Sequence, residues 1–193
     1  MITGSEESSF NAVAADNSGN VYAAGDMHGT EEYDFGNGVS ASGASSYNNI
    51  VLVKYDSSGE AQWAKTTTSS LIGSYFDSIA IDGSGNVYAA GTIFGTEEHD
   101  FENGVDAAGA YSNNNIILVK YNPSGETQWA RTVASDSAAD FSHFNSISVD
   151  GSGNVYAAGY LGGSNYSGTE EFNFGNCITA TVDSSIHNVV LVK

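Results

Sequence analysis

The chain repeats itself. Asn20-Val21-Tyr22-Ala23-Ala24-Gly25 returns as Asn86-Val87-Tyr88-Ala89-Ala90-Gly91 and again as Asn154-Val155-Tyr156-Ala157-Ala158-Gly159, at spacings of 66 and 68 residues. A repeat of this length decides the architecture before any single residue does. Each copy must be one supersecondary unit that buries its apolar face on its neighbours. Repetition also complicates function, because a residue present in every copy serves first the fold of that copy.

Each unit opens on an alternating segment, Phe10 to Asp16, Phe76 to Asp82 and Phe144 to Asp150, with the period of a half-buried strand. Asp-x-Ser-Gly-Asn follows at Asp16, Asp82 and Asp150, a tight hairpin turn. The second strand is Val-Tyr-Ala-Ala-Gly, whose small residues suit close packing of one sheet on another. Then Gly-Thr-Glu-Glu, at Gly29, Gly95 and Gly168, starts an excursion whose Asn-Gly pairs signal a small extra hairpin. The third strand, Ile50 to Lys54, Ile116 to Lys120 and Val189 to Lys193, is a short continuous apolar run, as in a strand buried on both faces. It begins 21 positions after the Gly-Thr-Glu-Glu glycine in all three copies, so the hairpin belongs to the design. A second turn leads to a fourth strand, Ala61 to Lys65 and Thr127 to Arg131, with no counterpart in the third unit. Nowhere do apolar residues hold a helical period.

Four antiparallel strands per repeated unit predict an all-β fold, a β-propeller segment of three blades with the last incomplete. The units are 10–75, 76–143 and 144–193 of a single repeat domain. A β-prism of three sheets is the alternative. Gly-Asn-Val-Tyr-Ala-Ala-Gly, Gly-Thr-x-x-x-x-Phe-Gly-x-Gly and Val-Leu-Val-Lys-Tyr-Asp-Ser-Ser-Gly-x-x-x-Trp-Ala together resemble the bacterial SBBP-type β-propeller repeat, over nearly the whole chain from Phe10. The resemblance implies propeller blades in envelope-associated or secreted bacterial proteins, hence an extracellular or cell-surface location. It implies no reaction. An incomplete ring is expected to be completed by other blades of a parent protein or by a second copy of the chain, because an apolar edge at Val189 to Lys193 invites pairing.

With 5 Lys+Arg against 23 Asp+Glu, the net charge of -18 repels phosphate backbones and anionic lipid, so no nucleic-acid partner is expected. No apolar run reaches a membrane span, and membrane insertion is not expected. The start, Met1 to Glu7, does not read as a signal peptide, so the chain either stays inside the cell or is cut from a longer precursor. Cys177, the lone cysteine, stands where the other copies carry Gly38 and Gly104 and reads as a loop substitution.

No residue pattern calls for catalysis. The acidic turns resemble half a calcium loop, but no distal Glu completes it, so a plain turn is the better reading. The Glu pairs Glu31-Glu32, Glu97-Glu98 and Glu170-Glu171 alternate faces and read as solvated hairpin edges. His28, His99, His143 and His187 fall at four different repeat positions, unlike a repeat-built metal site, so no metal or other cofactor is expected. Trp63 and Trp129 recur and read as inter-blade packing. The recurring cations, Lys54, Lys120 and Lys193, and Lys65 with Arg131, are expected to pair with recurring carboxylates.

Binding residues are sought where copies differ. Asn11, Asp77 and Asn145, on the innermost strands, would line the mouth of a central channel. Tyr33, Tyr47, His99, Tyr111 and Tyr166, at hairpin tips, have the chemistry of an adaptable surface for a protein or glycan. The expectation is a non-catalytic binding or structural module. The alternatives are a lyase or glycan hydrolase with a channel-mouth site, and a lectin-like binder with one site per blade.

Overall fold

The computed structural model describes residues 7–69, 73–133, 142–162, 168–174, 178–183 and 185–193, which form only β-strands, turns and loops. The first unit comprises β1 (Ser8–Ala15), β2 (Val21–His28), β3 (Glu32–Gly36), β4 (Val39–Ser42), β5 (Asn48–Tyr55) and β6 (Ala61–Lys65). The second comprises β7 (Ser74–Ile81), β8 (Val87–Phe94), β9 (Glu98–Asp100), β10 (Asp106–Ala108), β11 (Asn114–Tyr121) and β12 (Thr127–Arg131). The third comprises β13 (Ser142–Val149), β14 (Val155–Gly162), β15 (Thr169–Asn173), β16 (Thr179–Asp183) and β17 (His187–Val192).

The sheets run β1-β2-β5-β6, β7-β8-β11-β12 and β13-β14-β17, with the pairs β3-β4, β9-β10 and β15-β16 as separate hairpins. Every pairing is antiparallel. The protein is therefore all-β, built from the repeated unit read in the sequence. Along chain order the sheets also pack in order: β1 lies against β7 and β7 against β13.

Local chemistry explains each turn. Asp16 Oδ1 accepts the amides of Ser18 and Asn20 at 2.8 and 3.0 Å, while Oδ2 accepts Asn20 Nδ2 at 2.7 Å and the Tyr22 hydroxyl at 3.2 Å. Asp82 and Asp150 repeat all four bonds. Both carboxylate oxygens are thus taken by the turn's own donors, which accounts for the motif without calcium. The Asn154 side chain and the Asn154 amide hold the Asp150 carboxyl down to about 2.

One irregularity recurs in every first strand. Phe10 pairs with Gly25 and Ala12 with Ala24, leaving Asn11 as an extra residue. The same bulge falls at Asp77 and at Asn145. A bulge twists the strand and re-aims the side chain it adds. It also presses the strand onto its neighbour, and the residue opposite is a glycine in each unit. A Cβ on Gly25, Gly91 or Gly159 would lie 1.9, 2.1 or 1.8 Å from a backbone carbonyl oxygen of the first strand. The glycine that ends Val-Tyr-Ala-Ala-Gly is there for the bulge.

Between sheets the core is apolar. Tyr22, Ala24, Ile50 and Leu52 of the first sheet pack on Phe76, Ile79, Val87 and Ala89 of the second. Tyr88, Ala90 and Ile116 of the second pack on Phe144, Ile147 and Ala157 of the third. Trp63 packs edge-on to Tyr22 of its own sheet at 5.9 Å and donates its indole N–H across to Pro123 O of the second unit at 3.4 Å, while Trp129 packs beside Tyr88 of its own sheet at 6.1 Å. The recurring lysines correct one expectation. Lys54, Lys120 and Lys193 stand 5.2 to 5.5 Å over the rings of Tyr22, Tyr88 and Tyr156, so their recurring partner is an aromatic face. Lys65 does find a carboxylate, Glu102 at 2.7 Å.

Candidate functional site

The three bulges aim their side chains differently. Asn11 Nδ2 donates to Phe76 O at 3.0 Å and lies 3.3 Å from Asp26 Oδ1, stitching the first seam. Asp77 reaches the second seam, where its Oδ2 stands 3.5 Å from His143 Nε2. Asn145 is exposed. Asn11 and Asp77 thus serve different seams, and Asn145 faces solvent.

Around Asp77 the structure assembles residues from all three sheets. Asp26 on β2 accepts Ser9 Oγ at 3.0 Å and Asn48 Nδ2 at 2.9 Å, besides Asn11. Thr92 on β8 lies 3.0 Å from His143 Nδ1. The His143 ring stacks on Tyr160 at 5.4 Å, and Tyr160 meets His187 at 4.3 Å. Tyr75 also lies 6.1 Å from His143. Asp26, Thr92 and Tyr160 occupy one repeat position, directly after the bulge glycine. Ser9, Tyr75 and His143 occupy another, directly before the bulge phenylalanine.

Burial, and then the charge of Asp26, pushes the Asp77 carboxyl up to about 6. Burial also pushes the His143 imidazole below its usual range. Near neutral pH the two therefore meet as carboxylate and uncharged imidazole, and Oδ2 accepts no hydrogen bond among the described residues. The sign follows. An acid whose folded pKa lies above its unfolded value costs stability as pH rises from about 4 to about 6, and the whole cost is present at pH 7. Asn already sits at this bulge in the other two units, so Asp77→Asn fits. We expect it to stabilise the protein by ~1–2 kcal/mol at pH 7, allowing for partial solvent screening, and by nothing near pH 3. Urea melts at the two pH values check this.

Beside this cluster the surface is concave. A depression of about 510 Å³ is lined by Tyr47, Asn48, Gly73, Tyr75 and Phe94. A second, of about 270 Å³, adjoins it through Asn48 and is lined by Ser8, Ser9, Asp26 and His28, with Glu7 at its rim. Tyr75 and Phe94 contact each other at 6.0 Å. Flat aromatic walls with an amide and a carboxylate at one edge can stack a ligand face and hydrogen-bond its hydroxyls.

The hairpin candidates divide. Tyr33, His99 and Tyr111 are buried, not exposed at tips. The Tyr33 hydroxyl donates within a pocket formed by the carbonyls of Glu7 and His28, at 2.9 and 3.1 Å. His99 Nε2 lies 3.2 Å from Phe94 O, and Tyr111 packs on Phe172 at 5.7 Å. For Tyr33 and His99 the reason is strand alternation: Tyr33 and Phe35 face the core while Glu32 and Asp34 face water, and His99 is buried beside exposed Glu98. Tyr47 is exposed, as expected. Tyr166 and Cys177 lie outside the described residues.

Asp26 and Tyr75 escaped the sequence reading and His143 was weighed there only as a metal ligand, although the signal was there: all three stand at positions that differ between copies inside a frame that does not. No family model matches the chain, and no curated protein matches it.

Proposed function

We propose that the chain is a segment of a β-propeller, three successive blades with innermost strands β1, β7 and β13, acting as a non-catalytic binding module of a bacterial surface or secreted protein. The observation that carries the binding role is where the copies differ. The frame around each seam repeats, yet the residues at one end of it, Ser9, Tyr75 and His143 with Asp26, Thr92 and Tyr160, change from copy to copy. Fold alone asks for no such change. The ligand best suited to the aromatic depression is a glycan, stacked on Tyr47 and Tyr75 and hydrogen-bonded by Asn48.

A glycan array probed with the purified chain tests this. Binding that falls about tenfold in Tyr47→Ala and in Tyr75→Ala is the expected result, since a lost stacking contact is worth ~1–1.5 kcal/mol. The raised Asp77 carboxyl favours a second reading, a glycan lyase or hydrolase. Turnover of an array ligand, abolished in Asp77→Asn, would install that reading instead. Against it stands the burial of Asp77 Oδ2, which no substrate atom reaches without rearrangement.

A further inference from the structure

The two seams inside the protein are built alike, and each outer sheet carries half of a third. In the first seam Ile50 and Leu52 are buried under the second sheet, and the Ile50 amide donates to Ser74 Oγ at 3.1 Å. In the second, Ile116 is buried and its amide donates to Ser142 Oγ at 3.0 Å. The matching residues of the third sheet are Val189 and Leu191, which are 93% and 72% exposed. The receiving halves are Phe76 with Ile79 and Phe144 with Ile147, all buried. Their counterparts on β1, Phe10 and Val13, are 38% and 69% exposed, and Ser8 stands where Ser74 and Ser142 do.

We infer that the exposed face of β17 is a docking site for the β1 face of a second copy of this chain, joined head to tail. The inference rests on reading the three sheets as successive blades. The occupant follows from what already covers the equivalent faces: Val189 and Leu191 meet Phe10 and Val13 as Ile50 and Leu52 meet Phe76 and Ile79. The Val189 amide then finds Ser8 Oγ of the second copy. Asn145, exposed in the single chain, finds the Phe10 carbonyl as Asn11 finds that of Phe76. The pairing is heterologous, so it closes into a ring when the rotation per sheet permits. Two copies supply six sheets, within the four to eight of closed propellers. Each copy carries -18, so like charge opposes the contact and added salt favours it.

Mass in solution, by light scattering, tests the pairing with two variants. Val189→Glu with Leu191→Glu blocks the β17 face; Val13→Glu blocks the β1 face. All three side chains are exposed, and circular dichroism checks that each variant folds. The expected result is a wild-type dimer, or a longer series, strengthened by salt, with each variant alone at the 20.0 kDa of one chain. An equimolar mixture of the variants then forms a dimer, because each supplies the face the other lacks. A wild-type chain that stays single up to ~1 mM overturns the inference. So does a dimer that survives both variants, or a mixture that does not pair. Amide exchange in the wild-type chain, read beside its mass in solution, separates the two levels. Protected Ile50 and Ile116 amides without association reject the docking and leave the blade reading standing, whereas fast exchange there rejects the blade reading itself.

Discussion

Gly91→Ala is expected to destabilise the protein by ~4 kcal/mol or more, a large share of the ~5–15 kcal/mol that holds a domain of this size together. The new Cβ would sit 2.1 Å from Tyr75 O and 2.7 Å from the Phe76 Cα. Both are backbone atoms, so no side chain can swing aside. Two escapes exist and both are costly. Either the β7–β8 ladder opens at the bulge, or the bulge slips out. A slip of one residue would send Ile79 to the opposite face of the sheet, away from the core where it packs with Ile50 and Leu52. Because β7 lies between β1 and β13, either escape damages both seams. Gly83→Ala is the control. Nothing lies within 4 Å of a Cβ there, and Asn17 fills the same place in the first unit, so a change within ~0.5 kcal/mol is expected. Urea denaturation of both variants decides it, and a loss below ~1 kcal/mol for Gly91→Ala would show that the bulge is dispensable.

Features that depend on neighbours in sequence were legible. The turns show because Asp, Gly and Asn bond within five residues. The inserted hairpins show because Asn37 and Asn103, followed by Gly38 and Gly104, adopt the left-handed backbone that Asn-Gly announces. The bulges were not legible. Asn11, Asp77 and Asn145 look like ordinary members of an alternating strand, and the glycine each demands lies on the next strand, already explained by close packing. The seam cluster was hidden for a related reason. His143 was set aside because it is out of register with the other histidines, and register is the wrong test where three units each give a different residue to one place. Asp26, Thr92 and His143 are separated by more than a hundred positions in total, and only the packing of β1, β7 and β13 side by side unites them.

Asn49→Leu is expected to cost ~3–5 kcal/mol and, at temperatures where it remains folded, to abolish ligand capture in the aromatic depression. The Asn49 side chain is fully buried and knots the root of the first hairpin. Its Nδ2 donates into a cage of the carbonyls of Tyr47, Ser45 and Gly29, at 2.8, 2.9 and 3.0 Å, while its Oδ1 accepts the Ser45 amide at 2.8 Å. Leucine fills the volume but removes the Asn49 bonds to the Ser45 amide and to the Ser45 and Gly29 carbonyls, each at ~1–3 kcal/mol, while Tyr47 O keeps the Gly29 amide. Asn115 ties the second hairpin with the same bonds, to Asn113, Tyr111 and Gly95. Asn115→Leu should therefore cost a similar amount of stability. The two variants part at the ligand. The Asn49 knot holds the segment that presents Tyr47 and Asn48 to the depression, whereas the Asn115 knot presents neither. Loss of binding in the first variant alone, with equal shifts in Tm, would tie the site to the first seam. Equal loss in both would mean that binding follows global stability, and the depression would then no longer be the site.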